Sequence, residues 1–285
     1  MKILHTKNEI NSKLFEHRNA SKSIGLVPTM GALHEGHLSL VHKAKGHADV
    51  VVVSIFVNPT QFNNPEDLEK YPRTVSEDLK MLEISGVDYV FLPSVEEMYP
   101  QPSKLKFDFG DLETILEGAF RPGHFNGVGV VVSKLFHIIK PDYAYFGQKD
   151  LQQVAIIRRM VEDLSFDVNL EIVPTVREED GLAMSSRNRR LNSEARKLSV
   201  MLYESLVWAK NELFAGRPWL EVQEKISHKF NEEPLAKLEY FELVKTNSLE
   251  LVSGIDLGSQ LSTNEFSICT AVYIGDVRLI DNLPI

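Results

Sequence analysis

Along its first two-thirds the chain alternates short apolar runs with stretches of helical periodicity, and that rhythm permits few architectures. The runs Ile24–Val27, Val50–Val57, Tyr89–Leu92, Tyr143–Phe146 and Val168–Val173 read as strands. Between them fall predicted helices near 36–47, near 75–85 and from about 151 to 163. A further helix is read from Val128, Val131, Leu135 and Ile138, whose spacing gives one apolar face, with Pro141 following as a stop. Strand and helix in this order build βαβ units and a parallel sheet. After Pro174 the pattern changes. Residues 193–230 read as mainly helical, with Asn192 or Ser193 as N-cap, and Tyr240–Val244, Ser267–Ile274 and Val277–Ile280 read as strands of a small antiparallel sheet. The expected fold is α/β: a Rossmann-like doubly wound parallel sheet over 1–175, then a smaller α+β C-terminal lid domain over 176–285. A cleft between the two is the expected ligand site.

Composition narrows the partners. With 285 residues, 43% hydrophobic and 25% charged, the chain is long enough for two modest cores. A net charge of −9 speaks against nucleic-acid or membrane-surface binding, both of which need a dominant basic field. Small molecules are the expected partners. The start, Met1 to Asn8, lacks a long apolar stretch, and the densest apolar run, Val50 to Val57, is too short to cross a bilayer, so a cytoplasmic location is expected. The single cysteine, Cys269, lies in an alternating segment that suits a packed strand, and is read as structural.

Directly after the first apolar run stands Pro28-Thr-Met-Gly-Ala-Leu-His34-Glu-Gly-His37, leading into the helical stripe Leu38, Leu40, Val41 and Ala44. Gly31 and Gly36 let the backbone turn tightly, so the first N–H groups of the helix can face an anion. The helix dipole adds roughly half a positive charge there. His34 and His37, three residues apart, face one side and offer two imidazole donors. Such a corner suits the phosphates of a nucleotide, and it follows a strand, where open α/β sheets bind ligands. A bare His-x-Gly-His also arises by chance, and histidine occurs in cores and on surfaces. A zinc reading fails on spacing, because the metalloprotease helix needs His-Glu-x-x-His.

Three further constellations follow the same logic. In Asn58-Pro59-Thr-Gln61-Phe62 an apolar strand ends in a loop whose amides suit a polar ligand, although such loops commonly just turn the chain. Gly147-Gln148-Lys149-Asp150 again joins a strand to a helix; Lys149 suits phosphate oxygens, and Asp150 suits a helix cap, a ribose hydroxyl, or both. A lysine is disfavoured at that positive dipole end unless an anion stands beside it. In Gly181-Leu-Ala-Met184-Ser185-Ser186-Arg187-Asn188, two hydroxyls and a guanidinium match nucleotide phosphates, while Arg189 and Arg190 leave open a merely solvated basic segment.

Together with Tyr71-Pro-Arg-Thr74 and Arg121-Pro-Gly-His-Phe125, these motifs and their order resemble the pantothenate synthetase (pantoate–β-alanine ligase) family of the nucleotidyltransferase superfamily, over nearly the whole chain. The His-x-Gly-His piece is shared with class I aminoacyl-tRNA synthetases; the complete set is far more specific. The resemblance implies a two-step ligation. ATP and pantoate form pantoyl adenylate and pyrophosphate, then β-alanine displaces AMP to give pantothenate, with Mg²⁺ accompanying ATP. It implies catalytic roles for His37, His34, Lys149 and Arg187. The ATP site it implies draws Met30, Gly31, Ala32, Leu33, His34, Glu35, Gly36 and His37 from the first motif. Gly147, Gln148, Lys149 and Asp150 come from the second strand end, with Val176 and then Met184, Ser185, Ser186 and Arg187 from the last motif. Gln61 and Gln153 match the family's pantoate contacts, and Gln61 also the β-alanine site. A homodimer is implied too. The metal ligands stay unassigned, with Glu77 and Asp78 as nearby candidates that more commonly act as helix caps.

The implied chemistry suits the residues. A carboxylate attacking the α-phosphorus is already ionised near neutrality, so adenylation needs positioning and charge stabilisation rather than a base. Two rivals share parts of the pattern. An aminoacyl-tRNA synthetase-like or other His-x-Gly-His ligase should carry a basic nucleic-acid surface, and a non-enzymatic nucleotide-binding regulator would not need Gln61 and Gln153.

Overall fold

The computed structural model describes residues 1–63, 65–252 and 265–285. Six parallel strands form the larger sheet: β1 (Lys2–Leu4), β2 (Ile24–Thr29), β3 (Val50–Ile55), β4 (Tyr89–Phe91), β5 (Tyr143–Gly147) and β6 (Asn169–Val173). Their order is β1-β4-β3-β2-β5-β6. The chain runs outward from β2 through β3 to β4, then returns to add β5 on the other side of β2. This is the doubly wound arrangement expected, and it puts the reversal of strand order between β2 and β5.

Burial explains why these strands are readable. All six residues of β3 are buried, as a strand covered on both faces requires, so it reads as an unbroken apolar run. The helix Glu35–Lys45 lays Leu38, Leu40, Val41 and Ala44 against this sheet, joining a core that includes Val27, Val51, Val53 and Tyr145. The helix His124–Ile139 carries the apolar face that Val128, Val131, Leu135 and Ile138 define, and all four are buried. Several elements lie outside the sequence reading, among them the short helices Pro65–Glu69, Val95–Met98 and Leu116–Phe120 as well as β1 and the helix Lys7–Asn19. β1 is a three-residue edge strand paired with β4, and the helix Lys7–Asn19 buries only Ile10 and Leu14. The helix has a sequence signature nonetheless: Thr6 caps the Glu9 amide while Glu9 reaches back to the Thr6 amide.

The antiparallel sheet consists of β7 (Ala236–Lys245), β8 (Phe266–Ile274) and β9 (Val277–Pro284) in that order. Helices Met201–Phe214 and Trp219–Asn231 cover it with Leu202, Leu206, Leu213, Trp219, Ile226 and Phe230. Trp219 stacks on Phe241 of β7 at 5.7 Å and 13°. Each such buried side chain contributes roughly 1.5–3 kcal/mol of transfer free energy. Asn192 caps the helix Ser193–Ser199 by accepting from the Ala195 amide, and Cys269 is buried in β8. The chain separates into two compact units: Met1–Gln148 with Ile156–Pro174, and Lys149–Ala155 with Thr175–Ile285. The segment around Lys149 therefore groups with the antiparallel sheet.

Candidate active site

The first motif is shaped by a buried carboxylate. Beyond β2 the backbone turns left-handed at Gly31 (φ +80°) and again at Ala32 (φ +50°). A Cβ at Gly31 would lie 3.1 Å from both Asp78 Oδ2 and Ile55 Cγ2, so a side chain there would crowd both atoms on top of the strain of its left-handed φ. Left-handed alanine is strained and must be held by its surroundings. Asp78 holds it: Oδ2 accepts from the Ala32 amide and Oδ1 from the Leu33 amide, each at 2.9 Å, and Oδ1 also accepts from Thr74 Oγ1 at 3.1 Å. Asp78 is 1% exposed. Of the two carboxylates considered for a metal, this one is engaged in fixing the turn. Ala32 and Leu33 are fully buried, and their amides face Asp78.

His34 is the N-cap of the helix Glu35–Lys45, and its Nδ1 accepts from the Gly36 amide at 3.1 Å. The amide expected to face an anion is thus occupied by the motif's own histidine. That bond places the His34 proton on Nε2, in the neutral tautomer, which makes Nε2–H a donor. The His37 ring lies beside it, centroid to centroid 4.1 Å and tilted by 47°. The paired imidazoles are what the corner offers. Met30 is half-buried and Glu35 exposed. β5 runs parallel to β2 through Gly25↔Tyr143 and Leu26↔Ala144, so Gly147 and Gln148 leave the same carboxyl edge of the sheet, beside the first motif at the switch point.

The Asn58–Gln61 loop departs from its sequence reading. The expectation that Asn58 reaches toward a ligand does not hold, because the residue is fully buried: Nδ2 donates to Gly127 O at 3.2 Å, and Oδ1 accepts from Tyr99 Oη at 2.9 Å and Thr60 Oγ1 at 3.0 Å. It clasps the loop to the helix His124–Ile139. There a Cβ on Gly127 would strike Thr60 O at 2.2 Å, and His124 Nδ1 donates to Gln61 O at 2.8 Å. Gln61, 7% exposed, is thereby fixed in a short 3-10 turn over Pro59–Gln61. A cavity of about 280 Å³ adjoins the corner, sharing Met30, Gly31 and Ala32 with it and lined also by Phe56, Pro59 and Arg73.

In the second unit, Lys149 is half-buried and Asp150 exposed in a 3-10 turn that leads into the helix Leu151–Asp163, which carries Gln153. Val176 and Met184 are joined by a 3.0 Å bond from the Met184 amide to Val176 O, and Arg177 bridges Ala183. Ser185 caps the 3-10 turn Ser186–Arg190, its Oγ accepting from the Arg187 amide at 3.2 Å. Asn188 secures the turn by donating to Glu178 Oε1 and Ala183 O.

The Pantoate-beta-alanine ligase family model matches residues 2–284. The chain belongs to the pantoate–β-alanine ligase family. It is 50% identical to the pantothenate synthetase of Thermosipho africanus across the full length of both chains. Among solved structures, the pantothenate synthetase of Thermus thermophilus is 40% identical with a TM-score of 0.90, covering 99% of each chain. The pantoate-beta-alanine ligase of Francisella tularensis, complexed with Beta-gamma ATP and Beta-alanine, is 39% identical with a TM-score of 0.80, covering 100% of this chain and 97% of that one.

Within this family member, several supporting residues escape a motif reading. Asp78 has a local signal, an acidic residue in the first turn of the helix Val75–Ile84. His124 lies in a quoted motif, but its bond to Gln61 spans 63 residues. Arg177 and Asp281 have no local signal, because their pairing spans 104 residues.

Proposed function

We infer that this ATP-dependent ligase joins pantoate to β-alanine through a pantoyl adenylate. The pantoate carboxylate attacks the α-phosphorus of ATP and expels pyrophosphate. The free amine of β-alanine then attacks the acyl carbon, AMP leaves, and the nitrogen sheds its proton as the amide forms. The observation that carries this reading is the His34–His37 pair, 4.1 Å apart at the carboxyl edge of β2, in a chain matched end to end by one ligase family.

In this reading His37 donates to the phosphates as charge builds in the transition state, and His34 contacts the nucleotide through Nε2–H. Lys149, Ser185, Ser186 and Arg187 hold phosphate oxygens. Met30, Gly147, Gln148, Asp150, Val176 and Met184 line the nucleotide, while Gly31, Ala32, Leu33, Glu35 and Gly36 give the corner its shape. Gln61 and Gln153 hold pantoate, and Gln61 also meets β-alanine. Neutral amides orient a carboxylate without blunting it as an arginine ion pair would.

Mg²⁺ would arrive on the ATP phosphates. Asp78 fits poorly as its ligand, since that carboxylate already accepts from Ala32, Leu33 and Thr74, and no step here is routed through the ion. Homodimerisation and a cytoplasmic location are proposed on the family resemblance; among the described residues no helix is long and apolar enough to cross a membrane.

Isotope exchange tests the intermediate. With ATP and pantoate but no β-alanine, labelled pyrophosphate should enter ATP. Absence of that exchange, or release of ADP and phosphate, would contradict adenylation.

A further inference from the structure

Several polar contacts in the second unit converge on one guanidinium. Arg177 donates from Nη1 to Asp281 Oδ2 at 2.6 Å and from Nη2 to Asp281 Oδ1 at 3.0 Å, a two-pronged fork. The same group donates to Gly181 O at 3.0 Å and to Asn282 O at 3.1 Å, and lies 4.2 Å over the Tyr203 ring. Asp281 is only 3% exposed. Burial pushes its carboxyl pKa up, and the charges of Arg177 and Lys149 pull it the other way. The neighbouring residue extends the chain of contacts: the Asn282 amide donates to Asp281 Oδ1 at 2.8 Å, and Asn282 Nδ2 donates to Lys149 O at 2.9 Å. On the other side, Arg177 pairs with Ala183, directly before Met184-Ser185-Ser186-Arg187.

We propose that Arg177, Asp281 and Asn282 are positioning residues, a brace anchored on β9 through Asp281 and Asn282 that fixes the Lys149 backbone relative to the Ser185–Arg187 loop so that both segments meet one nucleotide at a set spacing. The brace rests on the reading that Lys149 and Arg187 hold phosphate oxygens. A buried ion pair adds little net stability over apolar packing, so what it supplies here is geometry. The fork fixes orientation as well as distance, and β9 provides a rigid strand to carry it. Asn282 transmits that geometry to the Lys149 backbone carbonyl and makes no bond to its ammonium.

A double-mutant cycle on the full-length enzyme tests the brace. Asn282→Ala leaves the Arg177–Asp281 pair intact, and circular dichroism melts verify that each variant folds. Rapid-quench formation of pantoyl adenylate from ATP and pantoate should slow by roughly 10- to 100-fold in Asn282→Ala, the scale of a small displacement of a positioned group, with KM for pantoate unchanged. Arg177→Lys, which keeps the charge but not the fork, should slow it as well. The pair Lys149→Ala with Asn282→Ala should be no slower than Lys149→Ala alone, because the brace acts through Lys149. Losses that multiply would make Asn282 a structural residue and overturn the proposal. If Lys149→Ala is slow while Asn282→Ala adenylates at the parental rate, the brace alone falls. Parental adenylation by Lys149→Ala would remove the phosphate role of Lys149, and the brace with it.

Discussion

Asp78 spends its carboxylate on two backbone amides and a hydroxyl, and the strained turn at Gly31 and Ala32 depends on it. Asp78→Asn keeps the volume but turns an NH₂ group toward a donor, leaving a buried amide unsatisfied. The expected cost is about 1–3 kcal/mol, read from the urea midpoint, with a higher KM for ATP. Gln61 makes a different demand. Its loop is clasped by Asn58, Gly127 and His124, so the side chain is presented in a fixed, buried setting. Gln61→Arg should lose adenylate formation even where calorimetry still detects pantoate binding, because the guanidinium pairs with the nucleophile. Unchanged single-turnover rates would refute that electrostatic account. The motifs are legible in the sequence, but the residues that hold their backbones in place are not. Asp78 meets Leu33 across 45 positions and Arg177 meets Asp281 across 104, and no local pattern encodes such pairs.

Elements are legible where burial writes a period into the chain. β3 is buried throughout, and the helix His124–Ile139 shows one continuous apolar face. β1 has three residues on a sheet edge and the helix Lys7–Asn19 buries two, so neither carries a strong apolar period. What fixes that helix is its start, where Thr6 and Glu9 satisfy each other's amides. Thr6→Ala should lower stability by about 0.5–2 kcal/mol in urea unfolding and leave steady-state turnover unchanged. At β2 the apolar run ends at Val27, whereas the strand continues through Pro28 to Thr29. Thr29 donates from its hydroxyl to Ser54 O, and this bond carries β2 up to the motif turn.

At the scale of the molecule, each unit has its own core, and both tryptophans, Trp208 and Trp219, lie in the second. Tryptophan fluorescence therefore draws its signal from that unit. If Lys149, Ser185, Ser186 and Arg187 grip the nucleotide, ATP at 100 times its dissociation constant should stabilise the fluorescence-detected transition by about 2.7 kcal/mol. A fluorescence midpoint indifferent to ATP would remove these residues from the site. In the proposed reaction, charge stabilisation falls to the two imidazoles at the carboxyl edge of β2, and rapid-quench measurement of pantoyl adenylate in His37→Ala tests that role. A loss of about 10²–10³ in the rate of adenylate formation, with pantoate binding little changed, is the predicted result. Adenylate formed at the parental rate would contradict it.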